Sequence, residues 1–275
     1  MTLGEQITKA SGSNFAAAFR FLPRQKRIDI TNFYAFCRLV DDLADDPGPT
    51  PLERQAQLTI WRGAVLEKTP GEHPLAPEFR ETLDRYPIDR SLLADIISGM
   101  EMDLRGQRYE TLLELQDYCY RVAGAVGLVS IEIFGYQNPS ARDHARALGE
   151  ALQITNILRD VCVDHKNGGR IYLPLNYMRE HGYTEADLKA ARFTSGFQNM
   201  MYALASVAEK DYALSDSAVA PEDRQSLRPG LLMGDIYRRV LAKMKRNNFQ
   251  IFSRHYRLTR MEKLGCVLRR SFFNS

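Results

Sequence analysis

Between Gln153 and Asp164 the chain reads QITNILRDVCVD, and its polar and apolar positions fall on two faces of a helix. Gln153, Asn156, Asp160 and Asp164 are spaced 3, 4 and 4 apart. At about 100° per residue they occupy a stripe roughly 80° wide. Ile154, Ile157, Leu158 and Val161 form an apolar set that needs a core. The carboxylates therefore belong at the edge of, or inside, a buried cavity, unless this is a solvated face with two incidental aspartates. Carboxylates one helical turn apart suit a divalent cation such as Mg²⁺, which binds one or two of them and keeps positions open for water and phosphate.

A second stretch repeats the arrangement. From Arg27 to Asp46 the spacing predicts a helix, ended by PGPTP. Tyr34, Arg38, Asp41 and Asp45 share a stripe roughly 60° wide on it. Asp41 and Asp160 are 119 positions apart, so only the tertiary fold can bring the two helices together. Two such pairs, each beside an arginine (Arg38, Arg159), make up the components of a diphosphate clamp built through Mg²⁺.

The remaining pattern predicts helices at 52–67, 78–86, 90–105, 114–134, 185–192, 197–217 and 231–246. Trp61 is read as core. Met100 and Met102 would fill core gaps or line an apolar cavity. On the helix 114–134, Tyr118, Val122, Ala125 and Val129 share an apolar stripe with a single phenol, and Tyr118 is read first as a core tyrosine whose hydroxyl is satisfied. Gly124 and Gly127 imply close approach of a neighbouring helix, since each weakens the helix by about 1 kcal/mol. After Asp164, HKNGGR and RIYLP place Lys166, Arg170 and Tyr172 in a loop beside the second aspartate pair. Alternating β-branched runs are missing, and there is no internal repeat, so residues 1–275 are read as one all-α domain.

Composition adds little until charge is mapped. The chain has 275 residues and a formal net charge of +3, but Arg238 to Arg270 holds eleven Lys or Arg and the single acid Glu262. That third suits phosphate, an anionic membrane or plain solvation; nucleic acid ranks last because no recognised binding module accompanies the charge. The N-terminus lacks a signal-peptide core and no stretch is long and apolar enough to span a bilayer, so the chain is expected to be cytoplasmic, with a peripheral place on the inner face of the membrane as the variant. Cys37, Cys119, Cys162 and Cys266 are scattered singles, expected as buried free thiols.

YAFCRLVDDLAD (34–45), YCYRVAGAVG (118–127), QITNILRDVCVD (153–164) and RIYLP (170–174), in this order, resemble the blocks of the squalene/phytoene synthase family from about residue 11 to residue 264. The resemblance implies an isoprenoid synthase fold. By matching position it places Asp41, Asp45, Asn156, Asp160 and Asp164 on Mg²⁺, with Mn²⁺ as an alternative ion, and Gln153 in the site. It places Arg38, Arg159, Arg170 and Arg257 on diphosphate oxygens, with Tyr34, Tyr172 and Tyr237 nearby, and Tyr118 against the reaction intermediates.

GMEMDL (99–104), the RIYLP loop and the ending near 257–264 most resemble presqualene diphosphate synthases of hopanoid biosynthesis. The implied reaction is head-to-head condensation of two farnesyl diphosphates, with downstream hopanoid-pathway enzymes as partners. SGSNF (11–15) lacks the basic or histidine residues of some relatives, and no counterpart of the eukaryotic reductive region is present, so no NADPH is expected. Squalene, dehydrosqualene and phytoene synthesis are the sister alternatives. A helical protein that only binds anionic membranes is the non-enzymatic one.

Overall fold

Threonine caps and short breakers cut the chain into helices, as the computed structural model shows for residues 2–10, 18–46, 48–67, 73–166 and 168–272. The helices are α1 (Leu3–Ala10), α2 (Arg24–Asp45), α3 (Pro51–Leu66), α4 (Ala76–Arg85), α5 (Ser91–Leu104), α6 (Leu112–Cys119), α7 (Ala125–Phe134), α8 (Ala141–Lys166), α9 (Leu175–Glu180), α10 (Glu185–Lys189), α11 (Ser195–Ser217), α12 (Arg228–Arg246) and α13 (Arg260–Phe272). No strand occurs among the described residues. Thr50 and Glu53 form a reciprocal cap at the start of α3, and Thr184 with Asp187 does the same for α10. The SGSNF stretch lies outside the described residues.

Two apolar clusters make up the core. One gathers side chains of α8, α11 and α12, such as Leu158, Leu204 and Ile236. The other gathers α2 to α5 and α7, where Phe36 stacks on Phe79 at 4.6 Å and Trp61 meets Phe36 edge-on at 5.4 Å. Trp61 is thus a core residue. Cys119 and Cys266 are buried free thiols, whereas Cys37 and Cys162 are only half-buried.

Several expectations need correction. The single helix expected over 114–134 is two helices joined by a π-turn at Tyr120–Gly124. A π-turn spends more residues per turn than an α-turn, so the 3.6-residue count fails across it. Tyr118 consequently packs in the first cluster while Ala125 and Val129 pack in the second. Lys166 is the last residue of α8 and not part of a loop. Helices α1 and α13 were not anticipated.

The glycines do permit close helix crossing. A Cβ on Gly127 would lie 2.4 Å from the Ala145 carbonyl oxygen, and one on Gly149 would lie 2.3 Å from that of Ala123. The backbones of α7, the π-turn and α8 therefore touch directly.

Candidate active site

A cavity of about 310 Å³ opens along the seam between the two clusters. At its mouth α2 contributes Tyr34, Arg38 and Asp41, α8 contributes Gln153 and Asn156, and α12 contributes Tyr237. Phe33, Met100, Leu148, Ile131 and Met233 make the walls below apolar. Ala145 and Asn156 both line it on α8, so at 1.5 Å per residue it is about 16 Å deep along that helix.

Tyr34, Arg38 and Asp41 of the expected α2 stripe thus line the cavity, whereas Asp45, Arg159, Asp160, Asp164, Arg170 and Tyr172 are not among its lining residues, and arginines pair with Asp41, Asp45 and Asp160. Arg38 donates to Asp41 at 3.0 Å and to Asp42 at 3.1 Å. Arg159 grips both oxygens of Asp160, one at 2.8 Å. Burial works against the Arg159 cation, yet Asp160 and Tyr237 more than offset it. Arg170 reaches across from the turn after α8 to Asp45 and to the Ala44 carbonyl, the latter at 2.9 Å. That contact ties the turn after the second aspartate helix to the end of the first.

The acids repel one another where they meet. Burial, then Asp45, pushes the Asp41 carboxyl up to about 7 against the pull of Arg38. Burial, then Asp160, pushes Asp164 up to about 7 against Arg170, with smaller contributions from Asp103 and Asp45. Two carboxylates poised in this way are relieved by a divalent cation.

Asn156 donates weakly to Gln153 at 3.5 Å, and its own Oδ1 is buried without a hydrogen-bond partner. An orphaned oxygen beside crowded carboxylates is a donor set that fits a hard cation. Among the described residues, no three acidic, histidine or cysteine side chains gather around one point that would take an ion. The aspartates are held by arginines instead.

Tyr118 is not among the residues lining the cavity. Its hydroxyl donates to Asp103 at 2.9 Å, and Tyr172 donates to the other oxygen of Asp103 at 2.6 Å. The two rings stack at 5.1 Å. Burial, then Asp103, holds the Tyr118 phenol well above its ordinary value, and burial raises the Asp103 carboxyl. Tyr118 is thus a core tyrosine with its hydroxyl satisfied, as read from the stripe, although the spacing could not name its partner.

Asp103 is the functional candidate that sequence reasoning passed over. It stands in GMEMDL, where the methionines drew the interpretation, yet a carboxylate in an apolar helical run was the available signal. Met100 does line the cavity, while Met102 is core. His144 was also missed. It lines the deep end, with Nδ1 3.0 Å from the Ser215 carbonyl oxygen, and burial keeps its pKa low. Arg257 is not brought to the cavity: it stays exposed, and its carbonyl accepts from Lys243 at 3.3 Å.

This architecture has close counterparts. The chain is 35% identical to a phytoene synthase from Arthrospira platensis over 96% of its own length and 90% of that protein. It is 33% identical to a presqualene diphosphate synthase from Rhodopseudomonas palustris over 94% and 93% of the two chains. The crystal structure of a dehydrosqualene synthase in complex with ligand superposes with a TM-score of 0.82, at 28% identity, covering 98% of this chain and 94% of that one. The fold is that of the isoprenoid synthases. Residues 8–262 match the squalene/phytoene synthase model, and the chain belongs to the squalene/phytoene synthase family.

Proposed function

We propose that this protein, working as one domain over residues 1–275, condenses two farnesyl diphosphates head to head into presqualene diphosphate, releasing diphosphate. The observation that carries the reading is that Tyr34, Arg38 and Asp41 of one aspartate helix and Gln153 and Asn156 of the other share the mouth of an apolar cavity, with Arg170 joining the turn after the second helix to Asp45. Asp41, Asp45, Asn156, Asp160 and Asp164 would hold Mg²⁺. When bound, the ion supplies positive charge to the departing diphosphate.

Arg38, Arg159 and Arg170 bind diphosphate oxygens, each exchanging part of its present carboxylate contact for phosphate. Tyr34, Gln153 and Tyr237 orient the headgroup at the rim. Breaking the C–O bond of one substrate leaves an allylic cation, which the apolar walls keep from water. The double bond of the second substrate attacks it, and loss of a proton closes a cyclopropane. Tyr118 and Tyr172 remain protonated phenols near neutral pH, so they orient Asp103 and steer charge without accepting that proton.

The reading places the enzyme in hopanoid biosynthesis, with no NADPH, at a peripheral membrane location close to its lipophilic substrate. Similarity to the Arthrospira phytoene synthase favours a second reading, phytoene synthesis from geranylgeranyl diphosphate. Incubation with each prenyl diphosphate and Mg²⁺, with and without NADPH, followed by mass spectrometry, tests both. A C30 diphosphate formed equally with and without NADPH supports the first reading; squalene formed only with NADPH, or condensation confined to C20 substrate, overturns it.

A further inference from the structure

Helix α13 buries Cys266 and packs Val267 against the core, ties Glu262 and Arg270 to the protein, and leaves a second, apolar stripe facing outward. Glu262 accepts from Lys243 at 2.7 Å, and its carbonyl accepts from Arg239 at 3.2 Å. Farther along, Arg270 forms a two-pronged pair with the buried Asp235 at 2.6 and 2.8 Å. Thr259 and Glu262 also cap the start of the helix reciprocally, Thr259 N to Glu262 at 2.7 Å and Glu262 N to the Thr259 hydroxyl at 3.3 Å. The orientation of α13 on α12 is thus fixed by ion pairs at both ends.

The outward face is apolar. Met261 is 74% exposed, Leu264 46% and Leu268 45%. At 100° per residue these three lie within a stripe about 60° wide, with Arg260 about 40° beyond one edge and Arg269 about 80° beyond the other. Both arginines are exposed, and neither they nor Lys263 has an acidic partner among the described residues. Ordinarily a surface helix buries its apolar stripe and solvates its charges. This one buries Cys266 yet leaves a second apolar stripe exposed between cationic residues, which marks a surface made to meet an apolar phase.

We propose that α13 is a monotopic lipid-contact helix, setting Met261, Leu264 and Leu268 into the acyl boundary of a bilayer while Arg260 and Arg269 meet anionic headgroups. The proposal rests on the peripheral location inferred above and gives it a defined contact surface. Cationic flanks select the occupant: a second copy seated on the stripe would oppose like charges, whereas an anionic bilayer complements them. No helix among the described residues is long and apolar enough to cross a membrane, so this contact lies on the surface.

Vesicle flotation of the full chain tests this without substrate, so its outcome is independent of which reaction the protein performs. At low salt the wild type is expected to float with phosphatidylcholine–phosphatidylglycerol vesicles and not with phosphatidylcholine alone. Leu264→Glu with Leu268→Glu should weaken that binding by about tenfold or more. Their circular dichroism and melting should be unchanged, because both side chains face outward. Arg260→Glu with Arg269→Glu should abolish the preference for anionic lipid. Undiminished flotation of the leucine variant overturns the proposal. So does light scattering that finds a wild-type dimer which the same leucine substitutions make monomeric, since the occupant would then be a second copy.

Discussion

Arg170 closes on Asp45 across 125 residues of sequence, and its second amino group holds the Ala44 carbonyl at 2.9 Å. Through this one guanidinium the turn that follows α8 is fastened to the end of α2. The same cation draws down the carboxyls of Asp103 and Asp164. Arg170→Ala should therefore act on the fold and on the chemistry together. The expected loss is about 1–2 kcal/mol of stability, read as a melting shift of a few degrees. Turnover should fall by about 10²–10³, because a preorganised cation is lost from the leaving group. Calorimetry and steady-state kinetics check the two effects separately.

Asp41 and Asp160 should respond oppositely to neutralisation. Asp41 sits among Asp45, Asp42 and Asp103, so Asp41→Asn relieves repulsion and should leave the metal-free melting temperature unchanged or higher. Asp160→Asn strips the partly buried Arg159 of its partner, and should cost about 1–3 kcal/mol. Both should lower turnover by several orders of magnitude. Equal melting shifts in the two variants would contradict the pairing described.

The pH dependence has a definite sign. Asp41 and Asp164 are raised to about 7, whereas an unfolded aspartate titrates near about 3.9. Between these values the folded chain holds protons that the unfolded chain has released. Their stabilising contribution is thus complete below about pH 4 and lost as pH rises through about 7. Solvent at the cavity mouth reduces its size, because Asp41 is partly open. Metal-free protein should melt higher at pH 5.5 than at pH 8 by more than Asp41→Asn with Asp164→Asn does. Mg²⁺ should stabilise most at the alkaline end. A parallel pH profile for wild type and double variant would refute this.

Tyr118 and Tyr172 donate to opposite oxygens of Asp103, which allows structure and catalysis to be separated. Either Tyr→Phe change should cost about 1.5–3 kcal/mol, the worth of a hydrogen bond to a charged group. If Tyr118 acts on intermediates, its variant should lose far more kcat than that of Tyr172 for a similar loss of stability. Equal kcat losses would leave both as supports for Asp103.

Phe134 forms a thin partition. Its side lines the deep end of the cavity, and it also borders a surface hollow lined by Lys26, Tyr136 and Gln137. Lys26 fixes its carbonyl at 2.6 Å. Phe134→Leu should open the floor and raise the use of geranylgeranyl relative to farnesyl diphosphate in a competition assay. Phe134→Ala should do more, at about 3–5 kcal/mol of stability. An unchanged ratio in a folded variant would place the chain-length limit elsewhere.

Helical arithmetic found what local sequence encodes and stopped where register changes. The stripes Tyr34–Arg38–Asp41 and Gln153–Asn156 reached the cavity mouth because α2 and α8 are uninterrupted over those spans. Tyr118 is core as read, but its grouping on one stripe with Ala125 and Val129 failed because the π-turn at Tyr120–Gly124 leaves no mark in apolar periodicity, which tolerates one extra residue among small side chains. Asp103 was hidden by a segment whose methionines read as packing. Thr259 and Glu262 spelled the capping signature of α13, but the basic residues around them drew attention to net charge. Arg170 was read as standing beside the second aspartate pair, and no spacing rule could have named Asp45 of the first as its partner.

The crossing at Gly127 and Gly149 divides the cavity into walls that can and cannot be remodelled. Where Ala123, Gly127, Ala145 and Gly149 face it, the boundary is main chain against main chain, with 2.3–2.4 Å left for any added Cβ. No rotamer can retreat there, and a single methyl would have to separate two helices. The opposite wall is made of Phe33, Met100 and Met233, side chains that can be exchanged individually. Alteration of substrate scope in this protein must therefore come from one side: a library over those positions should yield folded variants with new product lengths, while one over the glycines should yield mostly insoluble chains.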